Sequence, residues 1–200
     1  MGKKAEASTF DKEFYDRFYR HPSTAVARPE EFKRLADFVL RYLDHFEIPV
    51  RSVIDFGCGL GLWQAALVAM ERQIAYTGVE VSPYLCDKYG WKQASVVEFK
   101  SRSKYDLIIC QDVLPYLTDR EVRLAIKNIV KLCRGAVYIQ AITKEDWDQE
   151  NCDRKRTDPA MRRREADWYR KLFSRHFINC GGGVFVPKDS DVVLWELERI

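Results

Sequence analysis

The sequence is poor in the residues that usually announce metal or redox chemistry. Its three histidines, His21, His45 and His176, stand far apart and read as structural or exposed. The six cysteines, Cys58, Cys86, Cys110, Cys133, Cys152 and Cys180, form no C-x-x-C pair, which excludes a zinc ribbon and a disulfide framework. That usage predicts reduced thiols in a cytoplasmic protein, with no metal site. No apolar run approaches the length of a membrane span. The opening MGKKAEASTFDKEF has no apolar core and does not read as a secretory signal. There is no internal repeat, and a formal net charge of +3 is too small to argue for nucleic acid. What is there is ordinary for a globular chain. Hydrophobic residues make up 46% and charged residues 32% of 200 positions, which predicts one soluble domain with a sizeable core.

The apolar period changes along the chain. Phe10, Phe14, Tyr15, Phe18 and Tyr19 recur at helical spacing, and His21-Pro22 should stop that helix. Pro29-Glu30-Glu31 starts a second helix, with the proline in the first turn and acids at the positive end of the dipole. Strands and helices should then alternate: strand 50–56, helix 60–72, strand 74–81, a short helix after Ser82-Pro83, a weak strand at 95–98, and a strong strand at 105–111. Thr118 should cap a helix running to about residue 133, with Glu121 completing a capping box, before a strand at 136–142. Such alternation implies a parallel sheet covered on both faces. Residues 143–158 lack periodicity and read as a loop. A helix over 159–176 should follow. Strand 177–187, bent at Gly181-Gly182-Gly183, and an alternating strand at 191–198 should close the fold as an antiparallel addition at one edge.

The chemistry is concentrated at Val53-Ile-Asp-Phe-Gly-Cys-Gly-Leu-Gly61. Three glycines at every second position give up side chains where the first strand ends. A chain does this to turn sharply and to let a ligand touch its backbone. The loop feeds a helix amino terminus with free N–H groups, beyond the carboxyl end of a parallel strand, where ligands bind in open sheets. One strand later, Glu80 ends Tyr76-Thr-Gly-Val-Glu80, well placed to accept hydrogen bonds from two ribose hydroxyls. Together they read as a nucleoside-binding corner. The spacing is not the G-x-G-x-x-G of a dinucleotide fold, and there is no P-loop lysine.

The Asp55-x-Gly57-x-Gly59-x-Gly61 pattern with Glu80 downstream resembles the class I S-adenosylmethionine-dependent methyltransferases. Tyr105-Asp-Leu-Ile-Ile-Cys-Gln-Asp-Val-Leu-Pro-Tyr-Leu117 is similar to that family's fourth-strand segment, so the resemblance covers roughly residues 50–142. It implies an α/β, Rossmann-like, seven-stranded, mostly parallel sheet with helices on both faces and an antiparallel C-terminal strand. It implies one domain over 1–200: a helical cap at 1–47, a cofactor-binding core at 50–142, and an acceptor side at 143–200. It also implies S-adenosyl-L-methionine as cofactor. Gly57, Cys58, Gly59 and Gly61 would pass under the methionyl part and ribose, with Asp55 orienting the loop. Glu80 would bind the ribose, Val81 would pack on adenine, and Gln111 would contact the methionyl end. The family's adenine-binding Asp after the third strand is missing, and Ser95 or backbone would serve instead. Tyr15 and Tyr19 would close over the cofactor.

Plainer readings stand beside these. Tyr15 and Tyr19 read equally as helix packing, Cys58 as a small filler, and the arginine runs at 154–156 and 162–164 as a solvated face, because acids intersperse them. The sulfonium already makes the methyl electrophilic, so a base is needed only for a nucleophile that holds a proton. Asp112 and Tyr116, just past the fourth strand, are the pocket residues for catalysis. No Asn-Pro-Pro-Tyr segment follows that strand, which favours a small-molecule acceptor. Methyl transfer to an O, N or C atom of a metabolite is the leading expectation. An RNA methyltransferase, a non-catalytic S-adenosylmethionine-binding protein and a nicotinamide-dependent dehydrogenase are the alternatives. Nucleic acid and membrane are not expected as partners, and the oligomeric state is open. Residues 143–158, with Trp147 and Asn151, are expected to wall the acceptor pocket.

Overall fold

A computed structural model of the chain describes residues 9–20 and 28–200. The expected stop at His21-Pro22 lies outside them. Seven strands form one sheet in the order β3-β2-β1-β4-β5-β7-β6. These are β1 (Ser52–Phe56), β2 (Ala75–Glu80), β3 (Lys92–Gln93), β4 (Tyr105–Gln111), β5 (Cys133–Gln140), β6 (Phe177–Asn179) and β7 (Val184–Pro187). Strands β1 to β5 pair in parallel, while β7 runs antiparallel to both β5 and β6. The chain builds outward from β1 through β2 to β3, then crosses over to β4. The order therefore reverses between β1 and β4, where an open sheet leaves a crevice at its carboxyl edge.

The helices are α1 (Lys12–Tyr15), α2 (Pro29–His45), α3 (Leu62–Ala69), α4 (Pro83–Tyr89), α5 (Asp119–Leu132), α6 (Lys144–Asp148) and α7 (Ala166–Phe173). A π-helical turn, Asp16–Arg20, continues α1. Both sheet faces are covered. Val39, Leu40 and Leu43 of α2, with Trp63 and Leu67 of α3, bury Val53, Leu107, Ile109 and Ala136. Val122, Ile126 and Ile129 of α5, with Phe173 of α7, bury Ile54, Phe56, Ile108 and Val137. The central strand β4 is buried over six consecutive residues, as a strand covered twice must be. The capping box predicted at Thr118 is present: its hydroxyl accepts from Glu121 N, and Glu121 accepts from Thr118 N at 2.9 Å.

Four expectations need correction. The third strand lies at Lys92–Gln93, not at 95–98. The Ser95 hydroxyl instead accepts from Glu98 N at 3.2 Å and turns the chain. The stretch 143–158 is not all loop, because Thr143 and Asp146 cap α6 reciprocally. The helix expected over 159–176 forms only at Ala166–Phe173. Its missing first half is held by Arg164, which donates to the Leu114 and Leu117 carbonyls and pairs with Asp119 at 2.8 Å. Residues 191–198 do not join the sheet. Leu194 is buried, whereas Trp195 and Leu197 are 75% and 100% exposed. The antiparallel closing pair is therefore β6 with β7, joined through Gly181-Gly182-Gly183.

Candidate functional site

The glycine loop leaves β1 with Gly57, Gly59 and Gly61 at φ of +70°, +52° and +75°, a conformation that penalises any Cβ. Two of the three are also crowded. A Cβ on Gly57 would run into Val113 Cγ2, and one on Gly61 would meet Trp91 at 2.8 Å. Gly61 then caps α3. Trp91 was not singled out from the sequence, yet it fixes the loop by donating to the Gly59 carbonyl at 2.9 Å. It also packs where a side chain on Gly78 would stand. A glycine inside the β2 pattern was the available signal for that close approach.

Glu80 is 3% exposed at the end of β2. Its carboxylate accepts from Gly59 N at 3.0 Å, Val81 N at 2.7 Å and Ser82 N at 3.0 Å, and the Tyr15 hydroxyl lies near enough to favour its charged form. Burial raises its pKa, and these donors oppose the shift. The α1 segment is tied down beside it, with Ser82 Oγ donating to the Phe10 carbonyl at 2.5 Å.

Asp55 lies one strand away, 2% exposed, and accepts from the Tyr76 hydroxyl at 2.6 Å. Its contact is with β2 rather than with the loop it was expected to orient. Burial pushes its pKa up to about 7, the Tyr76 bond opposing and Glu80 adding to the shift. Cys58 is buried beside it, and burial raises the thiol's pKa and keeps it protonated, which suits filler rather than nucleophile.

Asp112 follows β4 with φ of +55°, an uncommon conformation for a side-chain-bearing residue. Its backbone N–H donates to Gln140 O at 2.8 Å and locks the chain onto β5. Its Oδ1 is buried with no hydrogen-bond partner. Burial raises its pKa to about 7, a bond to the Ile142 backbone opposing and Asp146 adding to the shift. Gln111 accepts from Trp63 Nε1 at 2.8 Å. Tyr116 donates to Asp158 Oδ2 at 3.1 Å, and burial, then Asp158, raises its pKa. Tyr19 stands among carboxylates, and burial, then Asp112, Glu80, Asp158 and Asp55, holds its hydroxyl protonated.

Two cavities meet at this place. One, of about 700 Å³, is lined by Tyr15, Glu80, Val81, Ser95, Val96, Val113 and Leu117. The other, of about 500 Å³, is lined by Asp55, Gly57, Cys58, Gly59, Trp63, Asp146, Asn151, Asp153 and Asp158. Tyr19, Gly57, Gln111, Asp112 and Tyr116 line both. Thus every site residue expected from the sequence except Gly61 borders one cavity or the other. Of 143–158, Asn151 borders the second cavity. Trp147 is absent from its lining, and the Arg163 and Arg154 guanidiniums stand over its ring, 4.2 and 5.4 Å from the ring centre. Asp146 and Asp158 were missed, because nothing local marks which acids of an irregular segment turn inward.

Comparison with known proteins adds three findings. Residues 27–181 match a family described as a methyltransferase domain. Nodulation protein S of Rhizobium tropici is 28% identical over 137 residues, covering 63% of this chain. The chain spans about half the length of that relative, 55%. Among solved structures, the sugar N-methyltransferase KedS8 from Streptoalloteichus sp. ATCC 53650 is 25% identical. It matches with a TM-score of 0.54 over 65% of this chain and 54% of that one. The N-methyltransferase NodS from Bradyrhizobium japonicum WM9, in complex with S-adenosyl-L-homocysteine, is 18% identical. It matches with a TM-score of 0.56 over 87% of this chain and all of that one, a likeness of fold.

Proposed function

Because the chain belongs to the class I S-adenosylmethionine-dependent methyltransferases, we propose that it transfers a methyl group to the nitrogen of a small-molecule amine. The first cavity fits the cofactor's nucleoside. It joins a buried carboxylate, with room beside its three N–H donors for a ribose hydroxyl, to an apolar slot of Val81, Val96, Val113 and Leu117 suited to a planar base. Ser95 lines the same slot. The glycine loop, Asp55 and Gln111 would hold the methionyl end, on the side where the two cavities join. When bound, S-adenosylmethionine supplies a methyl carbon on a positively charged sulfur, ready for a lone pair.

The observation that carries the nitrogen assignment is Asp112. An amine in neutral water is mostly an ammonium ion and has no free lone pair until it loses a proton. Asp112 lines both cavities, and its Oδ1 is buried and without a partner, on a carboxyl whose pKa of about 7 matches that task. Asp112 would take the ammonium proton while the Tyr19 and Tyr116 hydroxyls, both held protonated, stay donors beside it. The relatives whose names state a chemistry, a sugar N-methyltransferase and an N-methyltransferase, support the same acceptor atom.

The test has two arms. Calorimetry should detect S-adenosylmethionine and S-adenosylhomocysteine and give no signal with NAD. A panel of amines, alcohols and phenols with labelled cofactor should give N-methyl products. Binding of NAD alone, or methyl transfer confined to oxygen, contradicts the reading.

A further inference from the structure

Among the described residues the second cavity is strongly one-signed. Their contribution to its lining is six carboxylates, Glu31, Asp55, Asp112, Asp146, Asp153 and Asp158, against one guanidinium, Arg156. Arg156 is already spent on Asp153, at 3.5 Å. Among the described residues no group of three or more acids, cysteines or histidines converges to hold a metal ion, so these charges are not a cation cage. They are held apart by separate local bonds. The Asp146 carboxylate takes the Thr143 N–H and hydroxyl at 2.9 and 2.7 Å. Asp158 Oδ1 takes Ala160 N at 2.9 Å, and its Oδ2 takes the Tyr116 hydroxyl at 3.1 Å. Asp158 is therefore fixed from two sides before any acceptor arrives. Asp112 Oδ1, buried and unpartnered, independently calls for a hydrogen-bond donor.

Such a wall selects by charge. A carboxylate or phosphate on the acceptor would meet like charges in a partly desolvated cleft, where Coulomb terms are several times stronger than in water. A second ammonium would meet attraction instead. Specificity of this kind comes as much from repulsion as from attraction.

Resting on the amine reading above, we propose that this cavity accepts amines carrying a second cationic group and rejects amines carrying an anionic one. In this proposal Asp158, set by Tyr116, is the residue that reads the second charge. Proton removal is the task of Asp112 and acceptor selection that of Asp158, both in the lining of one cavity.

A matched pair of probes tests it, because 1,5-diaminopentane and lysine differ only by a carboxylate. With the full chain saturated in S-adenosylhomocysteine, diaminopentane should bind at least tenfold more tightly than both lysine and pentylamine. Where turnover is seen, kcat/KM should favour diaminopentane over lysine by about a hundredfold. Asp158→Asn should raise the diaminopentane KM at least tenfold, with a smaller change in kcat and an unmoved cofactor Kd. Asp158→Glu should recover part of the loss. Equal binding or turnover of diaminopentane and lysine, no binding of diaminopentane at 50 mM, or an unchanged KM in Asp158→Asn would each overturn the proposal. In the first and last cases N-methylation would still stand. Loss of cofactor binding or of all N-methyl product would instead count against the amine reading itself.

Discussion

The two halves of the cleft are built by different means. The nucleoside half rests on backbone. Three left-handed glycines, a carboxylate receiving three N–H groups and a tryptophan on a carbonyl are all set by regular strands β1 and β2. The acceptor half rests on side chains from an irregular stretch, with Asp146 on a five-residue helix and Asp153 and Asp158 beyond it. A backbone site tolerates few substitutions and suits one invariant ligand. A side-chain site can change its acids one at a time without disturbing the sheet, and suits an acceptor that differs between relatives.

If that contrast holds, the largest effect should come from Glu80→Ala. It removes the proposed ribose acceptor and leaves the Gly59, Val81 and Ser82 amides without their partner. A hydrogen bond to a charged group contributes about 1.5–3 kcal/mol, so cofactor affinity should fall by about ten- to a hundredfold. The melting temperature should drop by several degrees as well, since unpaired buried amides cost stability. A weakened affinity with an unchanged melting temperature would mean that the amides find other partners.

On the acceptor side the matching change is Thr143→Ala. It removes the α6 cap, where Asp146 N is bonded to Thr143 Oγ1 at 3.2 Å and Asp146 Oδ2 to the same hydroxyl at 2.7 Å. A lost cap costs about 1 kcal/mol. The acceptor KM should rise about fivefold while the cofactor Kd stays put. A changed cofactor Kd would show that the halves are not separable.

The smallest effect sharpens the border between them. Tyr15 was expected to close over the cofactor, and its side chain lines the first cavity beside Glu80. Tyr15→Phe keeps that ring and should change cofactor binding by no more than about threefold, read by calorimetry. A larger loss would make the Tyr15 hydroxyl a direct cofactor ligand.

The same contrast explains what was legible beforehand. Gly57, Gly59 and Gly61 announce backbone that no side chain could follow, and Glu80 stands at a strand end that period-2 patterning locates. The capping box at Thr118 and the bounds of β4 came through for similar local reasons. The errors fall where tertiary contacts decide. Asp191 to Glu198 alternates like a strand, yet only Leu194 of it is buried, and it is Ile200 that reaches β6, its N–H donating to Asn179 O at 2.9 Å. Residues 159–165 have helical composition, but the bonds of Arg164 to the Leu114 and Leu117 carbonyls hold them otherwise. The Thr143-x-x-Asp146 cap went unread inside a stretch otherwise polar and without periodicity. Which acids of that segment would line the cleft had no local signature.

The central claim is that Asp112 frees the acceptor nitrogen for methylation, and a pH profile of methyl transfer tests it most directly. With methyl-labelled cofactor and a turned-over amine, kcat/KM of the wild type should rise with pH through about 7, as Asp112 loses its proton and becomes able to accept one. Asp112→Asn should lose that limb and fall by about a hundredfold in kcat, the order expected for removing a general base, with the cofactor Kd unmoved. Asn tolerates the left-handed backbone at this position, so the fold should persist. Full activity of Asp112→Asn with the same limb near pH 7 would contradict the account.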